Sequence, residues 1–272
     1  MTMPGSKSTA DGPLRGAVDD TGADDTGADD TGALRSALAG LLSFAAAEEL
    51  TLLAETAFRA DSDRGRPDRW AAAPLVAHNN QFKGQQAERL VAIQAGQVPA
   101  MYGEVDHSSA SVYRGYSAQA SADVKSECRR VSDDLIDRTW ALAHEDLLDP
   151  VRHPWLNGRM LWLQIVVRGF WHATGHLGDY YLAHGQAGRA IAMQAHGLAT
   201  ARYLRAPGPA AGLAGYSLAC AQARGGLLDE AARTLTEAIG LNPDLGANAG
   251  RDPDLAALRD AGLLGALLAP VR

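Results

Sequence analysis

The residues with the clearest capacity for chemistry lie in the segment FWHATGHLGDYYL, where His172 and His176 stand four apart. On an α-helix that spacing stacks two imidazoles one turn apart on the same face, within reach of a single divalent ion. The Glu of an HExxH zinc-protease signature is missing, so that reaction lacks its general base. The rest of the face runs Leu161, Ile165, Arg168, His172, His176 and Asp179. A cation, two imidazoles and a carboxylate thus occupy positions that packing side chains ordinarily fill. The opposite stripe, Leu163, Val167, Phe170, Thr174, Leu177 and Tyr181, is mostly apolar. A helix of this kind is expected to lie centrally, with its polar stripe on an internal cavity.

A third metal ligand must come from another helix. His78 lies three residues after Leu75 and four before Phe82, on the inner side of its own predicted helix. With His172 and His176 it completes a three-nitrogen site that leaves coordination positions for water or substrate. The competing reading is a set of core histidines that hydrogen-bond backbone carbonyls. Arg168 and Asn79 are the candidate substrate-binding residues, Arg168 for a carboxylate. Asp179 is the candidate catalytic residue, placed to orient a ligand histidine or to move a proton. His107, His144, His153, His184 and His196 are scattered, and surface or capping roles suit them better. Cys128 and Cys220 read as core thiols. Tyr102, Tyr113 and Tyr116 border a possible pocket, and Trp70, Trp155, Trp162 and Trp171 read as core anchors.

The elements that must position these residues are all helical. Leu34, Leu38, Leu41, Leu42, Leu52, Leu53 and Phe58 predict a first amphipathic helix, stopped by DSDRGRP. A second begins near Pro74, carries Leu75, Asn79, Phe82, Gln86, Leu90 and Ile93 on one stripe, and stops at Gly96. The connection from Pro99 to about Ala120 is long for a compact bundle and is expected to cover a site. A third helix is predicted from about Ala122 to His144, with Val124, Cys128, Val131 and Leu135 inward. A fourth runs from near Asn157 to about Ala183 and a fifth over 187–204, before a PGPAAG linker at 207–212. No segment alternates as a strand does, so the expected fold is all-α, an antiparallel bundle.

The C-terminal part, GYSLACAQARGGLLDEAARTLTEAIGLNP, resembles one tetratricopeptide unit. Leu218, Ala219, Gly226, Ala231, Leu235, Ala238 and Pro243 stand where such a unit places its small and packing residues, although Gln222 replaces a usual aromatic. One unit cannot form a solenoid, so this helical pair is expected to pack on the bundle with the DPDLAALRDAGLLGALL tail. The domain reading is therefore an acidic, disordered leader over 1–33, a metal-binding bundle over 34–205 and a helical extension over 206–272.

Composition narrows the function classes. The chain has 272 residues, 25 basic and 32 acidic side chains, and two cysteines. The leader repeats a DDTGA unit and carries −5 of the net −7, leaving a near-neutral body without a basic stripe. Nucleic acid is thus excluded as an expected partner. No apolar run near the ~20 residues of a membrane span is expected, and no secretory signal, so the protein is read as cytoplasmic. No phosphate-cradling glycine loop and no Ser-His-Asp signature stands out. Only Lys7, Lys83 and Lys125 are lysines, and this arginine preference, with abundant Ala and Gly, hints at a GC-rich genome.

An early histidine in PLVAHNNQF, followed about a hundred residues later by HxxxH in WHATGHLGDYY, resembles the DinB-like metal-binding four-helix bundles. The resemblance covers about residues 34–205 and maps that family's three ligands onto His78, His172 and His176. It implies an up-down-down-up bundle holding a divalent metal, usually zinc or nickel. It also implies thiol transferases and isomerases using mycothiol, bacillithiol or glutathione, or hydrolases that protect cells from reactive natural products.

The chemistry favours the thiol reading, because a bound cation presents a coordinated thiol as thiolate at neutral pH. With a GC-rich, actinobacterium-like source, mycothiol is the expected thiol. The leading expectation is a mycothiol-dependent S-transferase acting on an electrophilic or thiol-bearing metabolite, by analogy in natural-product biosynthesis. The alternatives are a metal-activated hydrolase and a non-enzymatic helical interaction protein. A homodimer through exposed bundle faces is also compatible with the sequence.

Overall fold

The computed structural model describes residues 27–55, 70–100, 110–119 and 121–267. Its elements are α1 (Gly27–Glu55), α2 (Ala72–Gln94), α3 (Ala110–Ser117), α4 (Ser121–Trp140) and α5 (His144–Leu148). They continue with α6 (Leu161–Val166), a π-helical turn (Val167–Trp171), α7 (His172–Ala183) and α8 (Ala187–Tyr203). The C-terminal part holds α9 (Gly208–Arg224), α10 (Leu228–Leu241), α11 (Asp244–Ala249), α12 (Ala256–Asp260) and α13 (Leu263–Leu267). Short 3-10 turns occupy Pro154–Leu156 and Pro253–Leu255. Among the described residues there is no strand, and the fold is all-α.

Helices α1, α2, α4 and α6–α7 pack on one another, and α8 lies against α1 and α7. Leu38, Leu41 and Leu42 of α1 meet Leu90 of α2, Leu135 of α4 and Ile165 and Phe170 of the α6–α7 segment in one apolar core. A second cluster gathers Leu52, Trp70, Leu75, Val124, Leu177 and Tyr180 beside the histidines. Burial of these side chains, at about 1.5–3 kcal/mol each, is what orders the helices, since isolated segments of this length are marginal in water.

Between α1, α2 and α4 the core is interrupted by a charged knot. Lys83 Nζ lies 2.6 Å from Glu49 Oε2, with the two side chains 1% and 0% exposed. The same ammonium donates to Ser132 Oγ at 3.0 Å and to Cys128 Sγ at 3.7 Å, and the Cys128 thiol donates to Glu49 Oε2 at 3.4 Å. Burial pulls the Lys83 ammonium down, but the attraction of Glu49 and Cys128 outweighs it and the net shift is upward. Burial, then the Glu49 charge, pushes the Cys128 thiol up to about 12.

Several boundaries differ from the sequence reading. Helix α1 begins at Gly27, so the last repeat of the leader is helical. Thr31 is buried and bonds to His144, and Arg35 donates to the Leu142 carbonyl, partners that only the tertiary fold supplies. Residues 1–26 and Phe58 lie outside the described residues. The third predicted helix is two, α4 and α5, because the chain turns at Ala141–Ala143 and buries Leu142. The fourth starts at Leu161, since Asn157 (φ 53°) and Gly158 (φ 79°) take left-handed conformations that a helix cannot use. PGPAAG is no linker. Its prolines fall at the start of α9, where a missing N–H costs nothing, and Gly212 lets α9 approach α10 so closely that a Cβ there would meet Asn242 Cβ at 2.7 Å. The connection from Pro99 to Ala120 contains α3.

Over Thr31–Glu55, α1 is long and apolar enough to cross a membrane by length and composition, which corrects the expectation that no segment is. In this fold 56% of its most apolar window is buried against the neighbouring helices, the disposition of a core helix.

Helices α9 and α10 form a close-packed pair, with Ala219, Ala231, Leu235 and Ala238 all within 1% of complete burial. The pair packs on α8 and α7 through α9. Trp171 Nε1 donates to Ser217 Oγ at 2.9 Å, and Arg224 Nη1 lies 2.5 Å from Asp179 Oδ1 and 3.4 Å from Asp254 Oδ1. The C-terminal pair is therefore anchored on the π-helical turn and α7.

Candidate metal centre

His78 projects from α2 and His172 and His176 from the first two turns of α7. Helix α2 packs against α7, which brings together side chains about a hundred residues apart in sequence. Nε2 of His78 lies 3.0 Å from Nε2 of His172 and 3.3 Å from Nε2 of His176. The candidate ligand atoms of all three lie within 4.8 Å of one another. Nitrogens bound at 2.0–2.1 Å on a tetrahedral ion are separated by about 3.4 Å, so the spacing suits one ion.

The tautomer of His78 supports that fit. The Tyr116 hydroxyl of α3 donates to Gln81 Oε1. Its oxygen lies 3.4 Å from His78 Nδ1 and, with its own proton committed, can only accept there. His78 therefore carries its proton on Nδ1 and turns the Nε2 lone pair toward the other two rings, the arrangement an outer partner imposes on a metal ligand. Burial pushes the Tyr116 phenol up to about 12, so it keeps its proton at neutral pH.

Aromatic neighbours fix the remaining freedom. Trp70 meets the His78 ring edge-on at 5.8 Å, and Phe82 stacks on His172 with centroids 4.0 Å apart and planes 16° from parallel. His78 is completely buried, and His172 and His176 are each 8% exposed. The π-helical turn immediately before His172 adds a residue to the helical path. The extra residue rotates the side chains of α7 by about 100° relative to those of α6. Gly178, further along α7, leaves room for α8, because a Cβ there would meet Gln194 Nε2 at 2.8 Å.

The structure brings His78, His172 and His176 together as the spacing predicts. Arg168 lies over Phe82, 5.2 Å from the ring centroid. Asn79 is completely buried, and neither of its amide atoms has a hydrogen-bond partner among the described residues. Asp179 is committed to Arg224 of α9 rather than standing open to solvent. Tyr102 lies outside the described residues, as does the Tyr113 side chain. Gln81, Arg89 and the Glu49–Lys83 pair were not legible as functional or structural polar groups. Gln81 was recoverable only as the residue three beyond His78 on the same helix.

A second group of possible ligand atoms, Cys220, Asp252 and Asp254, is satisfied within the chain. Tyr216 donates to Asp252 at 2.7 Å, Arg224 pairs with Asp254, and burial pushes the Cys220 thiol well above its ordinary range. In comparisons with known proteins, the chain matches no family model, no curated protein and no solved structure.

Proposed function

We propose that this protein is a metal-dependent thiol S-transferase. It would use mycothiol on an electrophilic or thiol-bearing small metabolite, with His78, His172 and His176 holding a divalent ion such as zinc or nickel. The convergence of three Nε2 atoms, with the His78 lone pair aimed inward, is the observation that carries this reading. A bound cation supplies a lowered pKa to a coordinated thiol, which then reacts as thiolate at neutral pH. The cysteines of the chain are not competitors for that role. Cys128 is held by Glu49 and Lys83 with its thiol raised to about 12, and Cys220 is buried beside Asp252 and Asp254.

The chain's own residues contribute orientation and exclusion of water. Tyr116 and Gln81 set the His78 tautomer, and Trp70 and Phe82 wall the site. Asn79 offers a buried amide to a ligand, and Asp179, held by Arg224, fixes the far side of α7. The DinB-like bundle, the tetratricopeptide-like character of the α9–α10 pair and a cytoplasmic location belong to this same proposal. They rest on the order HNNQF…HATGH, the small residues of the hairpin and the burial of α1.

Metal content of the purified protein, followed by calorimetric titration with mycothiol with and without the metal, tests the proposal. Stoichiometric metal and metal-dependent thiol binding are expected, and His172→Ala is expected to abolish metal retention. Metal without thiol binding would turn the assignment to a metal-activated hydrolase. Unchanged metal content in His172→Ala would remove the ligand set altogether.

A further inference from the structure

The charged knot between α1, α2 and α4 holds an amine and a thiol in contact, away from the three candidate ligands. Lys83 Nζ lies 3.7 Å from Cys128 Sγ, 2.6 Å from Glu49 Oε2 and 3.0 Å from Ser132 Oγ. The Cys128 thiol donates to the same carboxylate oxygen at 3.4 Å. Lys83 is 1% exposed and Ser132 2%, and Glu49 and Cys128 are completely buried. Glu49 Oε1 has no hydrogen-bond partner among the described residues. The carboxylate that holds both nucleophiles therefore keeps a second accepting oxygen for a donor of water or peroxide size. Cys220, the other buried thiol, has Asp252, Asp254 and the guanidinium of Arg224 around it and no lysine amine.

This arrangement supplies what oxidation of a buried thiol requires. Burial, then the Glu49 charge, keeps Cys128 protonated, its thiol pushed up to about 12. Attack of the sulfur on a peroxide thus needs a base at the sulfur, and Glu49 Oε2 already accepts the Sγ–H. The sulfenic acid so formed meets a nitrogen rather than a second thiol, because the knot contains none. An oxygen bonded to both atoms draws sulfur and nitrogen together by about 1 Å, within the reach of the flexible lysine stem, whereas a direct S–N bond requires about 2 Å.

We propose that Cys128 and Lys83 are a modification site, at which peroxide ties α4 to α2 through a single oxygen atom as a Cys–S–O–NH–Lys bridge. One peroxide gives an OH to sulfur, and its other half leaves as water with the thiol proton. Glu49 takes a proton from the ammonium, and a second peroxide gives an OH to the freed nitrogen, leaving as water. The hydroxylamine oxygen then attacks the sulfenic sulfur, whose OH departs as a third water with the hydroxylamine O–H proton. Sulfur and nitrogen each lose two electrons, and the two peroxides take up all four. The bridge is neutral and Glu49 ends protonated, so no unpaired charge is left in the core.

The full chain treated with hydrogen peroxide, followed by intact-mass measurement and tryptic mapping, provides the test. The bridge adds one oxygen and removes two hydrogens, so a species about 14 Da heavier is expected, reverting to the original mass with dithiothreitol. Trypsin should then miss Lys83 and yield residues 70–89 joined to residues 126–129. Peroxide labelled with oxygen-18 should add about 2 Da more to that joined peptide. Cys128→Ser is expected to abolish it and Cys220→Ser to leave it. A joined species that persists in Cys128→Ser would overturn the proposal. So would a directly bonded pair about 2 Da lighter than the reduced chain, or Cys128 found only as unjoined sulfenic or sulfinic acid. An unchanged Cys128 under peroxide that already oxidises the methionines would refute it equally. None of the four residues is a candidate metal ligand, so either result leaves the histidine centre untouched.

Discussion

At the residue scale, the histidine triad depends on groups that never touch a ligand. Tyr116 accepts from His78 Nδ1 only because its own proton goes to Gln81, so the hydroxyl determines which nitrogen of His78 faces the centre. Tyr116→Phe is expected to weaken metal binding by roughly ten- to hundredfold, the usual penalty for losing such an outer partner. Competition with a chelator of known affinity measures it, and unchanged affinity would show that the tautomer is set elsewhere. A second residue-scale prediction concerns alkali. The Cys128 thiol is raised from an ordinary value of 9.0 to about 12, so the folded state holds its proton where the unfolded chain releases it. Its contribution to stability is complete below pH 9 and is lost as pH rises through that window. Urea midpoints measured across it should fall with pH, and fall less steeply in Cys128→Ala.

At the element scale, the Glu49–Lys83 pair holds α1, α2 and α4 in register, with Ser132 and Cys128 completing the bonds. Both charges are fully buried, so removing one strands the other. Lys83→Met or Glu49→Gln alone should cost about 3–5 kcal/mol, whereas Lys83→Met combined with Glu49→Leu should cost far less, because no buried charge remains. Chemical denaturation of the three variants checks this, and additive single costs in the double variant would contradict it. The π-helical turn is the other element-level device. It carries Arg168 and runs directly into His172, and both side chains meet the Phe82 ring of α2. A uniform 3.6-residue period sets Arg168, His172 and His176 on one stripe and carries no sign of the π-helical turn between them.

At the scale of the whole molecule, the C-terminal helices are bound to the site rather than appended to it. Arg224 of α9 pairs with Asp179, three residues beyond His176, and with Asp254 after α11. Arg224→Ala should cost about 1–3 kcal/mol by leaving a buried carboxylate without its cation, and Asp179→Asn in the same chain should recover part of the loss. Thermal unfolding of both variants decides it. No recovery in the double variant would show that the two side chains are energetically independent. An extension tied in this way has α9 covered by the bundle, which leaves α10 and the segments after it as the outward surface.

The sequence by itself determined the helical class, the approximate extents of α1, α2 and α8, the core thiols and the three histidines. Each of these follows from local rules: apolar residues at helical spacing, a proline in a first turn, and two imidazoles one turn apart on one face. Only the tertiary structure decided where Asp179 and Arg168 reach, that Tyr116 and Gln81 hold His78, and that Lys83 and Glu49 meet inside the core. These are contacts between side chains 34 to 86 positions apart, and no local periodicity encodes which distant partner a polar group will find. The same reason governs the boundaries. Thr31 is helical because His144 awaits it, and PGPAAG is helical because α10 accepts its small residues at close range.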